Sequence, residues 1–340
     1  MSKPTVLITG ISGFIARHCA LEMLRSGYRV RGTVRAQDKA DSVSRSLARH
    51  VDTEALEFAE ADLMSDAGWK EAVAGCKFVL HVASPFPAGQ PKDEQALILP
   101  AVDGTRRVMA AAAAASVERL IQTSSMVAVM YGHPPARTAP FSEIDWTDVD
   151  ARGVTPYARS KTLAERAARA FMKSDRSGMQ YASVNPGFVL GPVLDADVGT
   201  SAEVIQMFLR GKYPGAPRIS MPCVDVRDIA KMHRLALEVD AASGGRYLGV
   251  SETPWMLDIA RAIRAGLGPQ ASKVPSRQLP DWVLRIVGIF DPIARQVVPE
   301  LGKELRVDNS QTRKTLGLSF IPAGDAAVAM ARSLIDLDLV

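Results

Sequence analysis

The chain has 340 residues, with 41 Lys and Arg against 37 Asp and Glu, so its formal net charge is +4. Hydrophobic residues make up 47% and charged residues 23% of the chain, a globular composition that excludes wholesale disorder and fibrous repeats. The length suggests two domains. The sequence lacks a block of five or six basic residues and any interleaving of aromatic and basic residues, so it gives no support for nucleic-acid binding.

The cysteines and the N-terminal segment bear on the cellular compartment of the protein. Cys19, Cys76 and Cys223 lie far apart, and the sequence has neither a CxxC pair nor a His cluster at metal-ligand spacing. We therefore expect buried thiols, no metal site and a reducing environment. The segment before the first apolar run is too short for a signal peptide, and no apolar stretch is long enough to cross a bilayer. The sequence predicts a cytoplasmic protein with no membrane partner.

Short apolar runs alternate with helical stretches through the first half of the chain. Strands are predicted at 5–8, 29–34, 56–60, 78–82, 119–122 and 181–184. Helices are predicted at 12–26, 38–50, 66–74, 93–116 and 156–173. Such alternation is typical of a parallel sheet with helices on both faces, so the fold class is a doubly wound α/β sheet.

The rhythm breaks after Pro186, where the chain becomes richer in Pro and Met. A strand-like run at 246–251 favours a return to the first sheet. We predict a first domain at 1–190, to which 225–250 returns. The segments 191–224 and 251–340 are expected to form a smaller, mixed α/β substrate-binding lobe.

The first strand leads into a glycine-containing turn with the spacing G-x-x-G-x-x-A. Gly10 permits the tight strand-to-helix turn, Gly13 lets backbone amides approach a pyrophosphate, and Ala16 keeps the helix close to the sheet. The following helix presents free N–H groups and a positive dipole end to the anion. The pattern predicts a Rossmann-type dinucleotide site in the first domain.

The end of the second strand distinguishes between the two nicotinamide dinucleotides. NAD sites usually carry Asp or Glu there, to bind the ribose 2′-hydroxyl. Here the strand ends at Arg35, and Lys39 follows one turn into the next helix. A guanidinium fork and a second cation suit a 2′-phosphate, and Asp38 falls later in the turn. The sequence favours NADP(H).

A tyrosine and a lysine share one face of the helix at 156–173. Tyr157 and Lys161 are four residues apart, which places their Cβ atoms about 5–6 Å from each other. A lysine cation at that distance is expected to lower the pKa of the tyrosine towards the working range of an acid or base. Ser124 and Ser125 end the fifth strand, where ligands bind in open parallel sheets, and either hydroxyl could hold a carbonyl oxygen.

These motifs, taken in order, resemble the extended short-chain dehydrogenases/reductases, and most closely the dihydroflavonol reductase, cinnamoyl-CoA reductase and carbonyl reductase branch. The resemblance spans nearly the whole chain. It rests on the segments 9–16, 62–63, 81–85, 123–125, 157–161, 185–187, 224–230, 301–303 and 316–317.

The resemblance implies a role for each matching residue. Tyr157 would be the general acid in reduction, Lys161 would tune it and bind the nicotinamide ribose, and Ser125 would orient the carbonyl, with Ser124 as the alternative. Further cofactor contacts are implied for Gly10, Gly13, Phe14, Ile15, Asp62, Leu63, Val82, Ala83, Ser84, Pro186, Gly187 and Val189.

Two departures from the family bear on the substrate. The cinnamoyl-CoA reductase signature around the tyrosine is replaced by Val154-Thr155-Pro156-Tyr157-Ala158, which argues against a CoA thioester. The asparagine that meets the flavonoid in plant dihydroflavonol reductases falls near Met130, which argues against a flavonoid. A less polar pocket remains, with candidate residues Phe86, Met126, Tyr131, Phe188 and Met207.

The leading hypothesis is therefore NADPH-dependent reduction of an aldehyde or ketone to the alcohol. The alternatives are a 3β-hydroxysteroid-type dehydrogenase, an NAD-dependent sugar-nucleotide epimerase or dehydratase, and a non-enzymatic dinucleotide sensor. Arg159, Arg166 and Arg169 lie among Glu165 and alanines, which indicates a solvated or subunit face. The long helices at 93–116 and 156–173 could form a homodimer interface, which the sequence does not decide.

Overall fold

Six strand-like runs between residues 5 and 186 and the run at 246–249 form one seven-stranded parallel sheet in the computed structural model, which describes residues 3–84, 93–134, 137–290, 295 and 297–340. The strand order is β3-β2-β1-β4-β5-β6-β9. The strands are β1 (Thr5–Ile8), β2 (Arg29–Val34), β3 (Leu56–Glu60), β4 (Phe78–His81), β5 (Arg119–Thr123), β6 (Gln180–Pro186) and β9 (Arg246–Gly249). The predicted doubly wound parallel sheet is confirmed, and the strand at its far edge comes from the run at 246–251.

Successive residues of each strand face opposite sides of the sheet. One row crosses four paired strands through Leu7, Val79, Leu120 and Tyr181. It packs with side chains of the helices α3 (Trp69–Val73), α4 (Gln95–Ala114) and α5 (Pro156–Ser174). The neighbouring row, including Ile8, is equally buried and faces the other side. Both faces are therefore covered, as expected for strands that read as continuous apolar runs.

The remaining helices of the first unit are α1 (Phe14–Arg25), α2 (Gln37–Ala48), α7 (Val226–Glu238), almost all of which lies in this unit, and α10 (Ser310–Leu316). Helix α1 ends at Arg25 because Gly27 takes a φ of 82° just beyond the C-cap. The order of the strands reverses between β1 and β4. In open α/β sheets ligands bind at such a switch point, beyond the carboxyl ends of the strands.

The chain divides into two compact units. The first contains 1–186, 227–249 and 309–319, and the second contains 187–226, 250–308 and 320–340. In the second unit, β7 (Phe188–Leu190) and β8 (Cys223–Asp225) form a two-stranded parallel sheet. Its helices are α6 (Thr200–Leu209), α8 (Met256–Leu267), α9 (Asp281–Phe290) and α11 (Ala323–Asp336).

Two smaller features bear on the sequence predictions. The three cysteines are buried and free, as expected. None of the helices in the described ranges is long and apolar enough to cross a membrane.

Candidate active site

The residues singled out in the first unit collect at one edge of the sheet. Thr9 and Gly10 follow β1, Arg35 follows β2, Asp62 lies two residues beyond β3, and Ser125 lies two residues beyond β5. Val82, Ala83 and Ser84 directly follow β4, and Pro186 is the last residue of β6. Because the strands are parallel, all of these positions lie at their carboxyl ends. The fold thus brings dispersed motifs to one crevice.

The protein's own packing requires glycine at position 10. Gly10 has a φ of 62°, and a Cβ built there would lie 2.9 Å from the Ala83 Cβ. Its backbone N–H donates to the Thr33 hydroxyl at 2.8 Å, and the Ile11 N–H donates to the Thr33 carbonyl at 3.1 Å. These bonds to β2 fix the turn between β1 and α1.

The protein's own packing does not require glycine at position 13. Gly13 is the N-cap of α1, is exposed, and has a φ of −74°, which any residue can adopt. A Cβ built there would touch only the Gly10 carbonyl oxygen, at 3.5 Å. No side chain caps the helix here, so the N–H groups of Phe14 and Ile15 begin the helix without a side-chain acceptor. The arrangement leaves a backbone surface suited to an anion.

The end of β2 is basic and exposed. Arg35 follows Val34, and Lys39 lies in the first turn of α2; both side chains are exposed. The N-cap of α2, Ala36, has no side chain that could accept from the first N–H groups. Two cations beside an uncapped helix N-terminus fit a phosphate.

The loop after β3 is held from several directions. The Asp62 carboxylate accepts from the Met64 N–H at 2.9 Å, and the Trp69 indole donates to the Asp62 carbonyl at 3.0 Å. Arg107, from α4, donates to the Leu63 carbonyl at 2.8 Å. This segment, which the family resemblance assigns to the adenine, is therefore firmly positioned by the protein itself.

A chain of hydrogen bonds crosses the sheet at His81, the last residue of β4. The Thr9 hydroxyl accepts from the Ala83 N–H at 2.9 Å, and it donates to His81 Nδ1 at 3.0 Å because the neutral ring carries its hydrogen on Nε2. His81 Nε2 then donates to the Thr105 hydroxyl at 3.4 Å, which donates to the Ala101 carbonyl. Burial and the Lys161 charge lower the pKa of His81 to about 3, so this histidine is neutral.

The structure distinguishes between the two candidate serines. Ser124 is 4% exposed and donates to the Glu165 carboxylate at 2.6 Å. Ser125 is half-buried, and its oxygen accepts from the Val127 N–H at 3.3 Å, which leaves its hydrogen available. A side-chain hydrogen bond from Ser125 reaches the Tyr157 phenol. Of the two serines, Ser125 is therefore the one that contacts Tyr157.

The helix α5 begins where its sequence dictates. Pro156 occupies the first turn, and the Thr155 hydroxyl caps the helix by accepting from the Ala158 N–H at 3.2 Å. Tyr157 therefore lies in the first turn and Lys161 one turn later. Lys161 is 8% exposed.

The expected effect of Lys161 on Tyr157 is wrong for the protein alone. Burial raises the pKa of Tyr157 to about 12, and the hydrogen bond from Ser125 opposes this only in part. Burial also lowers the pKa of Lys161 to about 8, against the influence of the Glu165 carboxylate. Desolvation penalises the charged form of both groups and is the main cause of both pKa shifts.

One functional candidate missed in the sequence is Glu165, one turn beyond Lys161. Its carboxylate is fully buried and accepts from Ser124, from the Ser183 hydroxyl at 2.9 Å and from the Asn185 amide at 2.8 Å. The Arg246 guanidinium donates to it at 2.7 and 3.3 Å. Arg246 chiefly, with these hydrogen bonds, lowers the pKa of Glu165 despite its burial. The spacing of Tyr157, Lys161 and Glu165 along one helix face was the available signal.

The predicted solvated face on α5 is wrong for Glu165, whereas Arg166 is exposed, and a subunit contact stays a prediction. Glu165 is buried, and each of the arginines binds a group elsewhere in the first unit. Arg159, Arg166 and Arg169 reach the Glu94 carboxylate, the Thr147 carbonyl and the Gly245 carbonyl, respectively. Helical periodicity alone does not identify which charged residues have such distant partners. Helices α4 and α5 also pack against each other within the chain.

The predicted substrate residues are dispersed over the chain. Met126 is buried and Tyr131 is half-buried in the first unit; Phe188 is half-buried and Met207 is exposed in the second. Two of the predicted cofactor residues also belong to the second unit. Val189 is buried in β7, and position 187 has no room for a side chain because a Cβ there would overlap the Pro222 carbonyl oxygen. Phe86 lies outside the described residues. Substrate contact by any of these stays a prediction.

Comparison with known proteins determines the family. Residues 6–248 match the family model described as the NAD dependent epimerase/dehydratase family. The chain belongs to this family. Its members are the extended short-chain dehydrogenases/reductases that the motifs resemble, so that prediction is confirmed.

Several proteins similar to this chain are named reductases. It is 33% identical to the ketoreductase azaE of Aspergillus niger over 96% of this chain and 97% of that protein. It is 35% identical to the cinnamoyl-CoA reductase CAD2 of Medicago truncatula over 81% of this chain and 82% of that protein. Its fold is similar to that of Gre2 from Candida albicans, solved in complex with NADPH, with a TM-score of 0.82, 27% identity and coverage of 98% and 99%.

Proposed function

We propose that this protein is an NADPH-dependent reductase that converts an aldehyde or ketone into the alcohol. The observation that carries the proposal is the contact between the Ser125 hydroxyl and the Tyr157 phenol at the carboxyl edge of the sheet. Lys161 lies one turn along the same helix, and the glycine turn after β1 lies at the same edge. The ketoreductase and Gre2 likenesses support the same reaction class.

The residues present fit NADPH. Gly13 offers a helix N-terminus without a side-chain cap, and a Cβ built there would be in ordinary contact with the Gly10 carbonyl oxygen only. Arg35 and Lys39 supply two cations for the 2′-phosphate, and no acid stands in the position that an NAD site uses. Val82, Ala83 and Ser84 would lie along the cofactor, and Pro186, Gly187 and Val189 would meet its nicotinamide end. Asp62 and Leu63 would meet the adenine.

The side chains around the crevice have separate tasks. When bound, NADPH supplies a hydride to the carbonyl carbon. The Ser125 hydroxyl donates a hydrogen bond to the carbonyl oxygen, and the Tyr157 phenol donates the proton that completes the alcohol. Lys161 holds the nicotinamide ribose and places a positive charge beside the phenolate that remains.

The protonation of Tyr157 suits the reducing direction. Because its pKa is raised to about 12, the phenol carries its proton throughout the neutral range and can act as an acid. Alcohol oxidation needs the phenolate, which is scarce below that pKa. We therefore expect reduction to dominate near neutral pH and oxidation to gain only as the pH rises.

The alternatives differ in observable ways. A sugar-nucleotide epimerase would retain NAD and regenerate it in each cycle, but Arg35 stands where such a site needs an acid. A 3β-hydroxysteroid-type dehydrogenase would act on a bulky secondary alcohol and favour alkaline pH. We also propose that the second unit takes part in substrate recognition. A cytoplasmic location and a homodimer stay predictions.

The test is a panel of aromatic and aliphatic aldehydes and ketones, incubated with NADPH and followed by the absorbance of the reduced cofactor. The proposal expects turnover of several members, with NADPH preferred to NADH. Tightly bound NAD in the purified protein, with no consumption of NADPH by any carbonyl, would favour the epimerase reading instead.

Replacing the two loop glycines by alanine is expected to have opposite consequences. Gly10→Ala should destabilise the fold, because it forces an L residue to a φ of 62° against Ala83. Gly13→Ala should cost at most about 1 kcal/mol of stability but weaken NADPH binding. Urea unfolding and calorimetric titration with NADPH measure the two effects, and unweakened binding by Gly13→Ala would contradict the assigned anion site.

Reversing the charge at Arg35 is expected to change cofactor choice. Arg35→Glu should raise the KM for NADPH by about 10- to 100-fold, since a charged hydrogen bond contributes about 1.5–3 kcal/mol, while the KM for NADH changes little. Arg45→Glu, which makes the same charge change at an exposed position in the last turn of α2, is the matched control. Equal effects of the two variants would indicate general electrostatics rather than a 2′-phosphate contact.

A further inference from the structure

We propose that Glu165 is a positioning residue for the reaction: its buried carboxylate joins the catalytic helix to the serine end of β5, and its charge balances the Lys161 ammonium. The effect of Glu165 on the reaction rests on the proposed function. The arrangement of the carboxylate's partners carries it.

The first link runs from Glu165 to the serines. The carboxylate accepts directly from Ser124 at 2.6 Å. It also accepts from Asn185 Nδ2 at 2.8 Å, and the same Nδ2 donates to the Ser125 carbonyl at 3.2 Å. Two paths thus lead from the helix that carries Tyr157 to the two residues that end β5.

The orientation of the Asn185 amide leaves its own oxygen unpaired, which costs folding free energy. Both partners of Nδ2 are pure acceptors, so the amide cannot be turned round. In this orientation the buried Oδ1 atom has no hydrogen-bond partner among the described residues. An unpaired buried acceptor costs free energy, so the contacts of Nδ2 must outweigh that loss.

The second link runs through Arg246 to the segment after β5. Its guanidinium lies 3.8 Å from the Trp146 ring centroid and pairs with Glu165 at 2.7 Å. It also donates to the Ala128 carbonyl at 3.0 Å and the Glu143 carbonyl at 3.2 Å. Glu165 therefore anchors the arginine that fastens the segment next to Ser125.

The charges around Lys161 explain why the carboxylate matters electrostatically. On α5 its neighbours are Tyr157 and Glu165, and from β4 the neutral His81 faces it. Burial lowers the pKa of Lys161, and Glu165 is the group that opposes this. The same carboxylate also faces Arg246 and, at 3.5 Å, Arg169. Removing its negative charge would take away the carboxylate that Lys161, Arg246 and Arg169 share.

The experiment compares Glu165→Gln with the substitution of a buried arginine at the other end of β5. Glutamine keeps the shape but brings an NH₂ group against neighbours that donate, and it removes the charge. The control is Arg119→Gln: Arg119 is 2% exposed and donates to the last carbonyls of α7, far along β5 from its serine end. A merely structural defect should appear in both variants.

The decisive readout is the titration of Lys161 in the free protein, by NMR of ¹³C-labelled lysine, with the signal assigned through Lys161→Arg. The midpoint should fall by about one pH unit or more in Glu165→Gln and stay unchanged in Arg119→Gln. In the active enzyme, the alkaline limb of kcat should move to lower pH by the same amount. Ser124→Ala should lower kcat and leave the midpoint in place, because the charge remains.

An unchanged Lys161 midpoint in Glu165→Gln would overturn the electrostatic half of the proposal, and unchanged kcat in Ser124→Ala would overturn the positioning half. If Glu165→Gln does not fold, the double variant Glu165→Gln with Arg246→Gln removes both charges of the pair, and Lys161 is titrated in that variant in the same way. The titration needs neither cofactor nor substrate. Failure of the proposed function would appear separately, as a wild-type protein that reduces no carbonyl.

Discussion

Tyr157→Phe is expected to lower kcat for carbonyl reduction by about 10²- to 10⁴-fold, the usual contribution of a positioned acid. Phenylalanine fills the same space beside Ser125 but has no proton to donate to the carbonyl oxygen. NADPH affinity should change little, because Lys161 and the glycine turn are untouched. The measurement is steady-state turnover together with NADPH titration.

The matched control is Tyr28→Phe. Tyr28 is also a largely buried tyrosine, and its hydroxyl donates to Glu238 at 3.0 Å, away from the carboxyl ends of the strands. This variant should keep wild-type turnover. Wild-type kcat in Tyr157→Phe would show that another group supplies the proton and would remove Tyr157 from the mechanism.

The pH dependence of the wild-type enzyme should have a defined direction. Tyr157 keeps its proton up to a pKa of about 12, so it does not limit reduction in the neutral range. Lys161, with a pKa of about 8, loses its charge first as the pH rises. Reduction should therefore decline through about that pKa, and alcohol oxidation should gain from alkaline pH until the loss of the lysine charge opposes it.

Arg246→Ala is expected to destabilise the protein by about 3–5 kcal/mol, because it leaves the buried Glu165 carboxylate without its main counter-charge. The variant also removes the donors to the Ala128 and Glu143 carbonyls and the cation over the Trp146 ring. Urea unfolding at neutral pH measures the loss. Arg234→Ala breaks partly exposed pairs with Glu22 and Glu238 and should cost only about 1 kcal/mol for each pair, or less.

Acid should reduce the difference between wild type and Arg246→Ala. Because the folded pKa of Glu165 is lowered below its ordinary 4.5, the pair contributes fully above that value. The contribution is lost as the pH falls through the folded pKa. A cost for Arg246→Ala no larger than that for Arg234→Ala would contradict the role of the buried pair.

Much of the fold could be predicted because its signals are local. The runs at 5–8, 29–34 and 56–60 became strands with those bounds, since strand-like runs that alternate with helical stretches are typical of a parallel sheet. The glycine spacing at Gly10 and Gly13 and the four-residue spacing of Tyr157 and Lys161 are likewise local. Parallel topology then places the strand ends together without further information.

What sequence reasoning missed depends on distant contacts and on burial. Glu165 and Arg246 are far apart in the chain, and the pairing of β6 with β9 places Arg246 beside Ser183, which donates to Glu165. The same carboxylate binds the Ser124 hydroxyl, a contact that the sequence does not reveal; Ser125 as the catalytic serine stays a prediction. The direction of the Tyr157 pKa shift was wrong because spacing reveals a neighbouring charge but not the desolvation that outweighs it.

The most direct test of carbonyl reduction follows the hydride itself. NADPH deuterated at the transferring position is incubated with the protein and an aldehyde, and the product is analysed by mass spectrometry and NMR. We expect one deuterium on the carbinol carbon for each NADPH consumed, and a rate of transfer lower by about 10²- to 10⁴-fold in Tyr157→Phe. Recovery of unchanged aldehyde and NADPH across the carbonyl panel, or transfer that proceeds equally in Tyr157→Phe, would contradict the proposed reaction.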